Sequence, residues 1–271
     1  MSELKDTEDD TMNFLENFYN SINEDERLLS KHGKVEYLTT MKYIHEYLKG
    51  RTDARILEVG AGTGRYSIPL AKERNRVMAV ELVEHNIDIL KSKLDGSEII
   101  DVMQGNALDL ACFDDNTFDM TLVLGPMYHL YTKDDKLKAL SEAVRVTKQG
   151  GIIFVAYCMN EACIIQYAFM HGHLKEVLEK DMIAPDWHCI SEPKDIFSMV
   201  RKEEIDELVS DVDAERIKLV ASDGMTNYMR ECTDEMDDDT FEKWMDYHFS
   251  ICERQDMIGV SNHTLDILRK L

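Results

Sequence analysis

Hydrophobic positions along the chain follow two rhythms, and the change between them marks its organisation. Near the amino terminus Phe14, Leu15, Phe18, Tyr19 and Ile22 recur at helical spacing, as do Tyr37, Leu38, Met41, Ile44, His45 and Leu48. That period predicts helices over 12–49, with Gly33 separating two of them and Gly50 closing the second. From Arg55 onward the pattern becomes short β-branched runs: Arg55–Val59, Val77–Leu82, Ile99–Met103, Phe118–Leu124 and Ile152–Tyr157. Helical stretches lie between them at 65–74 and 84–94, and a longer one runs to Thr147. Pro69 is close enough to the start of its helix to be tolerated. Thr132 and Asp135 have the spacing of a capping box, and Lys148–Gly151 forms a turn into the fifth strand.

Short apolar strands alternating with helices predict a parallel sheet covered on both faces. After residue 158 the rhythm breaks. Residues 160–180 and 202–211 read as helices, and 217–221 and 264–269 as strands, with some forty mostly helical residues between those strands. An excursion of that length predicts a folded cap rather than a bare loop. No internal repeat or Pro-rich linker divides the chain.

The first strand runs directly into Glu58-x-Gly60-x-Gly62-x-Gly64. In an open parallel sheet a ligand sits outside the carboxyl ends of the strands, where this loop lies. Three nucleotide sites use glycines at such a place. The phosphate-binding P-loop needs Gly-Lys-Ser/Thr, but Gly64 is followed by Arg65 and Tyr66. The dinucleotide pattern needs a third glycine at 65 or 67, where Arg and Ser stand.

The remaining pattern resembles the first motif of class I S-adenosylmethionine-dependent methyltransferases, and four further features follow in that family's order. Glu81 ends the second strand, about 20 residues on, where a carboxylate can accept from both ribose hydroxyls. Gln104–Leu110 (QGNALDL) resembles the adenine loop, Leu124–Leu130 reads LGPMYHL, and 140–151 (LSEAVRVTKQGG) resembles the helix and glycine turn before strand five. The GPMYHL turn, with Gly259–His263 before the last strand, is similar to a GPxYHL-type subgroup of bacterial small-molecule methyltransferases. The likeness covers residues 52–158.

What the resemblance implies is an α/β fold, a Rossmann-like seven-stranded mostly parallel sheet with its last strand antiparallel, plus helical N-terminal and cap insertions. Residues 1–50 would be a helical lid, 51–158 the cofactor-binding core, and 159–271 the rest of the sheet with caps at 159–200 and 222–262. The cofactor would be S-adenosyl-L-methionine, held by Glu58, Gly60, Ala61, Gly62, Gly64, Tyr66, Glu81, Leu82, Asn106, Ala107, Leu124 and Gly125. Asn106 stands where the family often has Asp. Its side-chain carbonyl can accept from the adenine amine, and the amide of Ala107 can donate to the ring. Methyl transfer is an in-line displacement whose hard chemistry belongs to the cofactor. The protein must position the acceptor, exclude water and remove a proton where needed. Tyr128 and His129 are the catalytic candidates. His129 reads either as a general base, its ordinary pKa being near neutral, or as a group bonded to a neighbouring loop. Tyr19, Tyr37, His171, Trp187 and Tyr228 are candidates to line the acceptor pocket.

Charge narrows the acceptor. The net charge of −22 opposes DNA or RNA, whose binding rests on phosphate neutralisation. Residues 231–246 hold eight carboxylates against Lys243 alone, a solvated face or an attraction for a cationic ligand. The Asn/Asp-Pro-Pro-Tyr/Phe tetrad that methylases of nucleic-acid bases and protein amides often carry after the fourth strand is absent at 125–128, which reads Gly-Pro-Met-Tyr. A small-molecule acceptor is therefore expected, with a protein or RNA methyltransferase and a cofactor-binding protein without catalysis as the alternatives. Six cysteines lack any CxxC pair and are expected to be reduced. His171, His173, His188 and Cys189 fit no zinc spacing, so no metal is expected. No leader or membrane-spanning run is read, which makes the cytoplasm the expected location. Nothing in the chain speaks to oligomeric state.

Overall fold

Each strand of the centre reads as an apolar run because both of its faces are covered. In the computed structural model, which describes residues 30–271, β1 (Arg55–Val59) and β4 (Phe118–Val123) are buried almost throughout. The helix expected around 14–22, and Tyr19 with it, lies outside the described residues. The sheet runs β3–β2–β1–β4–β5–β8–β7, with β2 (Arg76–Glu81), β3 (Ile100–Gln104) and β5 (Thr147–Met159) parallel to β1 and β4. Strand order reverses between β1 and β4, the place where such sheets bind ligands. The last strand, β8 (His263–Lys270), is antiparallel to both β5 and β7 (Ala214–Ala221). An eighth strand, β6 (Met199–Val200), pairs with the end of β5. Two residues are too few to show a period, so the expected seven strands become eight.

Side chains alternate across the sheet and build two apolar layers. Ile56, Leu122 and Phe154 face α1 (Lys31–Leu48) and α2 (Ser67–Lys72), packing with Tyr43, Ile44 and Leu70. Leu57, Ile153 and Val155 face the other way, with Leu140 and Ala143 of α4 (Lys133–Val146). The intervening α3 (Glu84–Ser92) packs Leu90 beside Ala61 and Ala79. Gly33 does not separate helices, as the pattern had suggested. It lies in the first turn of α1, and its amide donates to the hydroxyl of the N-cap Ser30 at 3.2 Å. The Thr132 cap forms as read, accepting from the amide of Asp135 at 3.1 Å.

The segment read as helical over 160–180 is so in three pieces: α5 (Asn160–Cys163), a π-helical turn over 164–170, and α6 (Leu174–Glu179). Gly172, at φ +77°, breaks the run. After α7 (Lys202–Ser210) and β7, the long excursion holds α8 (Arg230–Asp234), α9 (Asp238–Ile251) and α10 (Gln255–Ile258). Its acidic run meets the amino end of α1. Asp234 accepts from the amide and ring of His32 at 2.9 and 2.7 Å, and Asp238 lies 3.0 Å from Lys31. A helix amino terminus favours carboxylates, so part of this charge serves the fold.

The β7–β8 pair carries a buried charge. Asp266 is fully buried and takes both oxygens to Arg216, at 2.7 and 2.8 Å. Burial nevertheless pushes its carboxyl up to about 6. Among the described residues no helix is long and apolar enough to cross a membrane. All six cysteines are free, with Cys158 and Cys252 buried.

Candidate active site

At the switch point the backbone of the glycine loop folds against β2. The amides of Gly60 and Ala61 both donate to the carbonyl of Val80, at 2.8 and 3.0 Å. Gly60 has φ +72°, and a Cβ there would stand 2.7 Å from Cδ of Pro126, so the loop after β4 seats directly on it. Gly62 also has positive φ, but a Cβ there would meet nothing within 4 Å. The loop is therefore tight on its protein side and open at Gly62, as a cradle for a ligand requires.

Glu81 ends β2 beneath this loop and is 5% exposed. Its Oε2 accepts from the backbone amide of Gly62 at 2.8 Å, and its Oε1 accepts from the backbone amide of Val83 at 3.0 Å and from the side-chain Nδ2 of Asn86 at 3.3 Å. Glu58 is buried and accepts from the hydroxyl of Ser67 at the start of α2. Burial pushes its carboxyl up to about 8, opposed by bonds from Ser67 and reinforced by the charge of Glu81. A ribose diol needs a fixed acceptor beside an open backbone, and Glu81 with Gly62 meets that need.

The loop after β3 is shaped by its own asparagine. Asn106 Oδ1 accepts from the amide of Leu108 at 3.0 Å, and its carbonyl accepts from the amide of Asp109 at 3.0 Å. One lone pair of the side-chain oxygen thus holds the loop, leaving the other for an adenine amine. Ala107 is buried against the core. Leu124 and Gly125 lie at the end of β4, half-buried, and a Cβ on Gly125 would sit 3.5 Å from the carbonyl of Gly60.

Tyr128 and His129 occupy a 3₁₀ turn, 126–129, clamped from outside by residues 196–198. The amide of Ser198 donates to the carbonyl of Tyr128 at 2.6 Å, and the ring of Phe197 lies 5.5 Å from that of His129. Ile196 has φ +69° and ψ −50°, with the amide of Phe197 donating to the carbonyl of Asp195 at 2.8 Å. This is a γ-turn of the rarer hand, strained for a β-branched residue. It aims the carbonyl of Ile196 at His129 Nδ1 and the hydroxyl of Tyr131, each at 2.8 Å. A carbonyl only accepts, so Nδ1 carries the proton and the ring lone pair of neutral His129 is on Nε2. Burial lowers the pKa of the ring, against the favourable bond to Ile196.

Lys136 completes the clamp, donating to the carbonyl of Leu130 and to Ser198 Oγ at 2.8 Å. Burial brings its amine down to about 8. Sequence reading missed Lys136, although a signal existed: it stands on the apolar stripe of α4 with Leu140 and Ala143. Ile196 and Ser198 gave no signal, because nothing local ties them to residue 128. A separate polar cavity of about 130 Å³ lies beyond the clamp, lined by Tyr131, Lys136, His188 and Glu204, away from the glycine loop.

The expected acceptor-lining residues divide. Tyr37 comes to the glycine loop, its ring 5.3 Å from Tyr66 and 4.3 Å from the guanidinium of Arg65. Tyr228 packs against the core. His171 and Trp187 do not join them: both are exposed, and Trp187 lies against Phe169 at 5.9 Å. The histidines weighed as a metal set are also dispersed, His173 pairing with Glu176 and His188 with Glu204.

Residues 57–155 match the family described as methyltransferase domain. A demethylmenaquinone methyltransferase of Clavibacter sepedonicus is 33% identical over 101 residues, covering 37% of this chain and 40% of that one. One of Staphylococcus epidermidis is 29% identical over 115 residues, covering 41% and 46%. The match thus spans less than half the length of these curated relatives. Likeness in fold extends further. A methyltransferase from Thermotoga maritima superposes with a TM-score of 0.57 at 20% identity, covering 94% of this chain and 98% of that one. Geranyl diphosphate C-methyltransferase of Streptomyces coelicolor, solved with S-adenosyl-L-homocysteine, gives 0.53 at 15% identity, over 87% and 81%. Residues 57–155 thus resemble a methyltransferase domain, and the fold of the chain is that of these two solved structures.

Proposed function

We propose that this chain transfers the methyl group of S-adenosylmethionine to a small-molecule acceptor. The observation that carries the reading is the pairing of Glu81 with Gly62 at the β1/β4 switch point, a fixed carboxylate beside an open stretch of backbone. When bound, the cofactor supplies a methyl group activated on a sulfonium. Glu81 would hold the ribose hydroxyls, Asn106 and Ala107 the adenine, and Gly60–Gly64 with Leu124 and Gly125 the methionine end. Glu58 fixes the start of α2 through Ser67. Tyr128 walls the methyl site, and His129 accepts the acceptor's proton at Nε2, its tautomer set by Ile196.

Three observations support a small acceptor. The curated relatives are named for demethylmenaquinone, a small molecule. The turn after β4 reads GPMYHL, as in the small-molecule subgroup it resembles, and the charge of −22 disfavours nucleic acid. The test is calorimetric titration with S-adenosylmethionine, followed by transfer of a labelled methyl to separated small-molecule, protein and RNA fractions. Label in the small-molecule fraction is expected. Label in protein or RNA alone would overturn the acceptor class, and binding without transfer to any fraction would make the chain a binding protein.

A further inference from the structure

Behind Tyr128 the fold assembles a set of metal-ligating side chains that methyl transfer does not use. Glu36 comes from α1, Asp223 from the loop after β7, and His263 from the first residue of β8. His263 Nδ1 lies 2.8 Å from Asp223 Oδ2 and 3.4 Å from Glu36 Oε2, and the three ligand atoms lie within 4.8 Å of one another. The side chains are 12, 1 and 13% exposed for Glu36, Asp223 and His263. The ring of Tyr128 is 5.7 Å from that of His263.

Asp223 is held as an outer shell holds a ligand. Its Oδ1 accepts from Ser261 Oγ at 2.7 Å and from the amides of Asn262 and His263 at 2.9 and 3.1 Å. Those bonds fix the carboxylate plane and leave Oδ2 directed at His263 and Asn227. Both carboxylates face the imidazole of His263, so three groups that can each offer a ligand atom to one cation converge there.

We propose that Glu36, Asp223 and His263 bind one divalent first-row transition cation, which takes the place of the proton on His263 Nδ1. One imidazole nitrogen with two carboxylate oxygens suits Mn²⁺, Fe²⁺, Co²⁺ or Zn²⁺ better than an all-oxygen cation such as Ca²⁺. Ligand bonds of about 2.0–2.2 Å require only that the three atoms close on a common point. Three protein ligands leave coordination positions open, the mark of a site that takes a further ligand rather than a closed structural one. Widely separated ligands have no local spacing, which is why no metal signal was legible in the sequence.

The site is tested without reference to methyl transfer, so its failure leaves the proposed activity standing. The full chain, treated with chelator and freed of it, is titrated with Co²⁺ by calorimetry and visible absorption. One Co²⁺ per chain is expected, with release of a proton on binding. His263→Gln and Glu36→Gln should each weaken binding at least tenfold, while His188→Gln, whose ring pairs with Glu204 elsewhere, leaves it unchanged. Thermal melts accompany each variant. Asp223 anchors the 261–263 turn, so Glu36→Gln, on an otherwise intact helix, is the variant that keeps the fold. Absence of stoichiometric uptake by the wild-type chain, or uptake unchanged in both ligand variants, overturns the proposal.

Discussion

The backbone amide of Gly62 donates to Oε2 of Glu81 at 2.8 Å, which ties the loop after the first strand to the carboxylate that ends the second. The same carboxylate accepts from Val83 and Asn86, so its plane is set before any ligand arrives. Such preorganisation lets binding energy go into ligand contacts rather than loop ordering.

Glu81→Ala should weaken S-adenosylmethionine binding by roughly tenfold to a hundredfold, the loss of hydrogen bonds to a charged acceptor. It should also lower the melting temperature, because three donors lose their partner. Calorimetric affinity equal to that of the wild type would remove Glu81 from the ribose site.

Gly60→Ala and Gly62→Ala should separate stability from binding. At Gly60 the added methyl meets Pro126 at 2.7 Å with φ at +72°, and a loss of about 1–3 kcal/mol in urea unfolding is expected. At Gly62 the methyl enters open space, so backbone strain alone should cost about 1 kcal/mol while cofactor affinity falls further. Equal effects on both measurements in both variants would contradict the cradle.

Glu58 should make the unliganded protein less stable as pH rises from about 4.5 to about 8. Its folded carboxyl is pushed up to about 8 by burial, whereas an unfolded glutamate titrates near 4.3. Across that window the native state binds more protons than the unfolded state, so unfolding free energy declines with pH. Urea unfolding of wild type and Glu58→Gln at several pH values isolates the contribution. Parallel profiles for the two proteins would remove it.

His129→Ala should lower turnover about a hundredfold or more, within the range of general-base catalysis, with cofactor affinity within a few-fold. Burial depresses the ring's pKa, so the acid limb of the wild-type rate should fall below the ordinary histidine value. Initial rates across pH decide this. A variant active over the whole profile would take His129 out of the catalytic step and leave it a structural role.

Asp266→Ala should destabilise the protein by about 1–3 kcal/mol, because half-buried Arg216 would lose its bidentate partner and keep only Asp206. Asp266→Asn should be milder. Denaturant midpoints of the two variants give the comparison, and a loss below 1 kcal/mol for alanine would show that the pair is dispensable.

The glycine-loop half of the candidate site was legible because its determinants are local. A strand, three alternating glycines and a carboxylate one strand later occupy short stretches whose geometry follows from chain connectivity. Gly60 and Gly62 lie in the loop that leaves β1 and Glu81 at the end of β2, as the strand reading required, and Thr132 caps α4 as its spacing required. Gly33 was misread for a physical reason. Glycine is tolerated in a first helical turn, where the N-cap hydroxyl takes its amide, so it was no break.

By itself the sequence determined the alternation of strand and helix, the glycine loop and the residues at the ends of the first four strands, since periodicity and turn chemistry act over a few residues. Only the tertiary structure decided what surrounds His129. The γ-turn at Ile196 reaches it and the amine of Lys136 ties Leu130 to Ser198 beside it, across packed elements, and hydrogen bonds between distant segments leave no periodic trace. The same reason hid Glu36, Asp223 and His263: α1, the end of β7 and the start of β8 meet only when the sheet closes its antiparallel edge against β5. Folding brings those three together because each element buries its apolar face in the shared core, and their charges come along.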